Sequence, residues 1–177
     1  MTIKLEVCVD DALGLAEAVA GGADRVELCA ALSIGGLTPT LGLMRAAAVC
    51  GVPCYPIIRP RAGDFVFAPA EVEVMRADIR AAREMGLPGV VLGASLPDGR
   101  LDVAVLAQLL AEAEDMDVTL HRAIDLAPDK GEAVDTAMGL GFRRILTSGG
   151  AFTAPEGANV LAMMMERVGA ACVIMPG

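Results

Sequence analysis

Leu5-Glu6-Val7-Cys8-Val9-Asp10 alternates strictly, with Leu5, Val7 and Val9 on one side of an extended chain and Glu6, Cys8 and Asp10 on the other. The next apolar run repeats the device, since Val26 and Leu28 oppose Arg25, Glu27 and Cys29. A third sets Ile58 against Ile57 and Arg59. One side of each strand is apolar and suits a cover of helices; the other turns polar toward its carboxyl end. A doubly wound sheet buries both faces of its central strands and asks for continuous apolar runs. The alternation therefore selects a barrel of parallel strands whose carboxyl ends carry the ligand site.

The rest of the chain follows the same rhythm. Strands are expected at residues 3–9, 25–29, 54–59, 89–92, 118–121, 144–147 and 172–175, and helices at 11–20, 41–50, 70–85, 102–113, 130–140 and 159–168. The period is about 28 residues, the size of a strand-helix crossover. Gly21-Gly22, Gly86, and Gly139 with Gly141 each stand where a helix stops and a strand begins. The fold class expected is α/β, a TIM-like (β/α) barrel occupying residues 1–177 as one domain. Seven strands are visible. Eight units of this size need about 224 residues, so the eighth strand with its helices is expected to be missing from the chain, or its place to be filled by a neighbouring subunit.

With 177 residues, 55% of them hydrophobic, the chain has enough apolar mass for a sizeable core and is not a disordered segment. Its apolar runs are short and interrupted by charges, Gly and Pro, which argues against a membrane protein. Fourteen basic against 23 acidic residues give a net charge of −9, so nucleic acid is a poor partner. Lys4, Glu6 and Asp10 leave no room for a signal peptide and point to a cytoplasmic protein. Five cysteines, an odd number, argue against a disulfide framework.

Groups able to do chemistry gather at the strand ends. Cys8 and Cys29 each follow a Glu by two residues on adjacent strands, which puts the two sulfurs at one level, with strands about 4.8 Å apart. Two thiolates without a hard ligand suit Cu(I); equally, a free Cys is a small hydrophobe. Cys50, Cys54 and Cys172 read as packing residues. His121, the only histidine, is either a hydrogen-bonded structural residue or a general acid, general base or metal ligand, with Glu27 as its partner if protons are moved. Glu6, Arg25 and Glu27 are alternatively a buried ion network. Arg59 and Arg61 bracket Pro60 and are suited to a carboxylate or phosphate. Thr147, Ser148, Gly149 and Gly150 offer hydroxyls and amides to an anion. Phe65 and Phe67 form a lid, touch a subunit, or fold back on a helix.

Taken in order, Leu5-Glu-Val-Cys-Val-Asp10, Gly21-Gly-Ala-Asp-Arg-Val-Glu-Leu-Cys29, Gly35-Gly-Leu-Thr-Pro39, Ile58-Arg-Pro-Arg61 with Gly63-Asp-Phe65, His121-Arg-Ala-Ile-Asp125 and Arg144-Ile-Leu-Thr-Ser-Gly-Gly150 resemble the CutC copper homeostasis family over nearly the whole chain. The resemblance implies a TIM-like barrel, a cytoplasmic homo-oligomer (dimer or tetramer), and copper handling with Cys8 and Cys29 as the Cu(I) ligands. It brings no established catalytic activity. The alternative is a TIM-barrel enzyme acting on a small anionic metabolite, with Arg59, Arg61 and Thr147 to Gly150 binding the anion and His121 and Glu27 moving protons. Members of the family also continue past Met175-Pro176-Gly177 with a last strand and helices.

Overall fold

The computed structural model describes residues 3–177. Strands and helices alternate throughout: β1 (Glu6–Val9), α1 (Ala12–Ala20), β2 (Arg25–Leu28), α2 (Leu41–Ala47), β3 (Cys54–Pro56), α3 (Pro69–Glu84), β4 (Gly89–Leu92), α4 (Val103–Ala113), β5 (Asp117–Leu120), α5 (Lys130–Gly139), β6 (Arg144–Thr147), α6 (Ala158–Val168) and β7 (Val173–Pro176). Short 3-10 turns follow β2 at Leu32–Ile34 and β5 at Arg122–Leu126. One parallel sheet runs β1-β2-β3 and a second runs β4-β5-β6-β7. The α/β class with parallel strands is the one the alternation predicts.

Helix starts are written locally. Asp11 accepts from the Gly14 amide at 2.6 Å, Thr40 from Leu43 at 3.3 Å and Asp129 from Glu132 at 2.9 Å, each side chain closing the first turn of its helix. Gly22 and Gly86 take positive φ just after α1 and α3, as the sequence pattern expects.

The chain divides into two compact units. The first contains residues through Gly63, Glu73–Val91 and Glu112–Asp117. Val26, Leu28, Met44, Ile58, Met75 and Ile79 are fully buried there. Its ladder pairs Glu6 with Arg25, Val7 with Val26, Cys8 with Glu27 and Val9 with Leu28, then Val26 with Cys54 and Leu28 with Pro56. The second contains Asp64–Val72, Leu92–Ala111 and Val118–Gly177. Leu106, Leu120, Ile124, Phe142 and Ile145 fill its core, and β6 pairs with β7 from Arg144 with Val173 to Thr147 with Pro176.

The first three expected strands are shorter in the structure, the second by its last residue only, and the fifth keeps its length but is shifted by one residue. β1 begins at Glu6 because the Leu5 amide donates to the Asp24 carboxylate at 2.8 Å and so leaves the ladder. β3 ends at Pro56; Ile57 beyond it makes only an isolated parallel bridge to Val91, and the Arg59 amide donates to Thr38 Oγ1 at 2.9 Å. β5 stops before His121, which caps the following 3-10 turn. The second helix ends at Ala47 rather than Cys50, and residues 48–50 form a turn.

Candidate functional site

In the first unit, the parallel register sets the composition of the site. Glu6 and Cys8 on β1 share a face with Arg25 and Glu27 on β2, and Cys29 continues that face one residue past the strand's end. Cys8 stands opposite Glu27, and Cys29 lies two residues further along. The expectation that both sulfurs sit at one level is corrected by this offset: the spacing of each Cys from its Glu is equal, but the strands pair with Glu6 opposite Arg25 and not opposite Glu27. Glu27 is therefore level with Cys8, and Cys29 lies two residues beyond both.

Glu27 is 4% exposed. Cys29 Sγ lies 3.7 Å from Glu27 Oε1, while Oε2 accepts no hydrogen bond among the described residues. Burial, reinforced by the Glu6 charge, raises the Glu27 carboxyl to about 7, against the weaker pull of the Cys29 thiol and Arg25. The same surroundings act on sulfur. Desolvation, then the charges of Glu27 and Glu6, push the solvent-accessible Cys8 thiol up to about 12. Burial and the Glu27 charge drive Cys29 up as well. At neutral pH both are thiols on a face that also carries Glu6 and Glu27.

This face is held by its neighbours. Arg25 pairs with Glu6 and lies 5.3 Å above the Tyr55 ring. The Tyr55 hydroxyl donates to Asp117 at 3.1 Å. Cys29 packs with Tyr55, Ile57 and Val91 in a buried cluster against Leu32, whose amide donates to Asp10 at 3.0 Å. Of the ion network expected of Glu6, Arg25 and Glu27, the Arg25–Glu6 pair is formed, and Glu27 on the same face keeps one buried oxygen without a hydrogen bond. Among the described residues no group of three or more His, Cys, Asp or Glu side chains is arranged to enclose a metal. The donors at this place are two sulfurs and a carboxylate.

Arg59 is 6% exposed and donates to the carbonyls of Ile34 and Gly36 at 3.1 Å and of Gly63 at 2.7 Å. Desolvation, then repulsion from Arg61, lowers its pKa. Its guanidinium thus clamps two loops together. Arg61 donates to the neighbouring Ala62 carbonyl at 3.2 Å.

In the second unit, the Ser-Gly-Gly turn does hold an anion, and that anion is the protein's own Asp125. Its carboxylate accepts from the Thr147 hydroxyl, from the Ser148 amide at 3.2 Å and hydroxyl at 3.1 Å, and from the Gly150 amide at 3.1 Å. Arg122 Nε donates to it at 2.8 Å. Burial pulls the Asp125 pKa up, but the bonds from Thr147, Arg122, Ser148 and Gly150 outweigh it and hold the carboxyl below its ordinary value. Gly149 donates its amide to Thr147 Oγ1 at 2.9 Å and completes the cradle. Asp125 is the occupant that sequence reasoning missed. Its presence in His-Arg-Ala-Ile-Asp was visible, but its pairing across more than twenty residues had no local signal.

His121 is 3% exposed and its Nδ1 accepts from the Ala123 amide at 3.1 Å, which assigns the proton of the neutral ring to Nε2. The Phe65 ring lies 4.7 Å from the imidazole, so Phe65 folds inward against His121. Gly93 is required beneath the ring, because a Cβ there would stand 2.5 Å from His121 Cε1. Among the described residues no helix is long and apolar enough to cross a membrane.

Known proteins share this fold. A CutC protein from Streptococcus agalactiae, described as a copper homeostasis protein, superposes with a TM-score of 0.92 at 29% identity, over 98% of this chain and 87% of that one. An aldolase, QR15, superposes with a TM-score of 0.68 at 12% identity over 98% of this chain and 78% of its own, a likeness of fold alone. The molecule is an α/β protein of the TIM-like class. A CutC family protein of Rhizobium meliloti (strain 1021) is 61% identical over 175 residues, 99% of this chain and 71% of the relative. The CutC family pattern matches residues 3–177, and the chain belongs to the CutC family.

Proposed function

We propose that this CutC family protein acts in copper homeostasis by holding Cu(I) between the sulfurs of Cys8 and Cys29, beside Glu27. The S. agalactiae relative supports the copper assignment by its description. The observation that carries the site is the buried Glu27 carboxyl, with one oxygen left without a hydrogen bond, the Cys8 thiol opposite it on β1 and the Cys29 thiol two residues further along its own strand. Desolvated negative charge that keeps Cys8 and Cys29 protonated also attracts a cation. A soft monovalent ion that displaces both thiol protons relieves the strain that burial imposes, and sulfur is the donor such an ion selects. Copper is here the cargo. On this reading the protein is cytoplasmic, a compartment that keeps Cys8 and Cys29 available as thiols, and forms a homo-oligomer.

Anaerobic Cu(I) titration against a competing chelator tests the proposal in a Cys50→Ser, Cys54→Ser background. One equivalent is bound, and adding Cys8→Ser and Cys29→Ser abolishes it. Unchanged stoichiometry and affinity after both substitutions overturns the assignment.

A second reading, proton-transfer catalysis on a small metabolite, is supported by the Glu27 carboxyl poised at about 7. Arg59 and the Ser148 to Gly150 turn lend it no anion grip, since loop carbonyls and Asp125 occupy them.

A further inference from the structure

Away from the sites above, two more cysteines touch. Cys50 Sγ and Cys54 Sγ are 3.3 Å apart, and each sulfur also lies 3.5 Å from the Val52 carbonyl oxygen. Cys50 ends the turn after α2 and Cys54 opens β3. Gly51 makes the contact possible: its φ of +93° reverses the chain in a conformation that residues with a Cβ resist. A Cβ built on Gly51 meets nothing within 4 Å, so the turn faces open space.

The two sulfurs differ in access. Cys54 is 1% exposed, whereas Cys50 is only half-buried and its neighbour Val49 is 84% exposed. A small reagent can therefore reach Cys50 and not Cys54. A disulfide holds its sulfurs at about 2.05 Å, so about 1 Å of side-chain movement separates contact from bond. The pair is also distinct from the copper thiols. Because Val26 pairs with Cys54, it lies three residues down the sheet from Cys29, about 10 Å at the usual rise.

We propose that Cys50 and Cys54 form a reversible dithiol-disulfide couple, a modification site oxidised by low-molecular-weight disulfides of the glutathione type. The Cys50 thiolate attacks one sulfur of the reagent; the reagent's S–S bond breaks, and one equivalent of its thiol leaves with a proton from solvent. Cys54 then loses its proton and attacks the Cys50 sulfur of the mixed disulfide, releasing the second thiol. Two protein thiols are oxidised, one reagent disulfide is reduced to two thiols, and no other oxidant is needed. The order of attack agrees with the Cys54 thiol being pushed up to about 12 by burial and by Cys50, which keeps it protonated until the mixed disulfide arrives.

The test uses the full chain carrying Cys8→Ser, Cys29→Ser and Cys172→Ser, incubated in glutathione buffers of stepped oxidation, acid-quenched, alkylated and mapped by peptide mass. The expected result is a peptide bridged between Cys50 and Cys54 that grows in a single two-electron transition and disappears with dithiothreitol. Adding Cys54→Ser should instead accumulate glutathione on Cys50. Should the triple variant fail to fold, the same mapping of the wild-type protein reads the bridged peptide directly. Both thiols remaining alkylatable in the most oxidising buffer overturns the proposal, as does a wild-type protein that stops at the mixed disulfide. One-to-one binding of Cu(I) alone that blocks oxidation in the triple variant would make the pair a soft-metal site and overturns it too.

Discussion

Replacing Asp125 with Asn preserves shape and removes the charge. In the second unit the Asp125 carboxylate receives five donors, and Oδ2 alone faces the Ser148 amide, the Ser148 hydroxyl and Arg122 Nε. An amide nitrogen at that position points donors at donors. The Ser148 hydroxyl can rotate, because it also reaches the Ala151 carbonyl. The Ser148 amide cannot. Hydrogen bonds to charged groups contribute about 1.5–3 kcal/mol each, and the Arg122 side chain is 43% exposed and recovers hydration. The net cost of Asp125→Asn is therefore about 3 kcal/mol, or a fall in Tm of about 6–12 °C at this chain length.

The assay is native-state hydrogen exchange at pH 7 with peptide-level mapping of residues 147–151. Protection there should fall about 100-fold, since 1.4 kcal/mol is a factor of ten. The pH dependence supplies the sign check. The Asp125 pKa is depressed in the folded state, so its contribution is present above the unfolded value of about 3.9 and is lost as pH falls through the folded one. The gap between variant and wild type should thus narrow in acid. Protection within a factor of two of wild type at pH 7, or a gap of equal size well below pH 3, would refute the assignment of Asp125 as the anion of the cradle.

Glu27 has the opposite sign. Its folded pKa is raised to about 7, so the stability associated with its protonated form is present in acid and lost as pH rises through about 7. Glu27→Gln should be more stable than wild type at pH 8 by up to about 3 kcal/mol, with the advantage gone by pH 4, read as urea midpoints at both pH values. Arg59→Lys cannot reach the carbonyls of Ile34, Gly36 and Gly63 together. It should cost about 2–4 kcal/mol and open the loops at residues 31–37 and 60–64 to proteolysis; a cleavage rate equal to wild type would sink the clamp.

Element order was legible because each element is specified by neighbours in sequence. The alternation from Leu5 to Asp10, the Asp11 and Thr40 caps and the glycines that stop helices all act within a few residues. Strand ends were less so, since the Leu5 amide goes to a side chain 19 residues away instead of to the ladder. The site was legible as a set of residue types and not as an arrangement. Cys8, Glu27 and Cys29 could be picked out, but the offset between the sulfurs depends on how β1 and β2 pair. Nothing within either strand specifies that. The aim of Arg59 was likewise invisible, because its three acceptors are backbone carbonyls, which every residue possesses.

The Thr147 to Gly150 turn carries a wider consequence. An anion arriving from solvent would have to evict a competitor that is tethered to the same chain, and a short tether gives that competitor an effective concentration of millimolar or more. Eviction would also strand Arg122 and two hydroxyls around whatever took its place. Ligand traffic through this turn is therefore closed to weak metabolites, and evolution of a new specificity there would have to begin by losing the carboxylate at position 125.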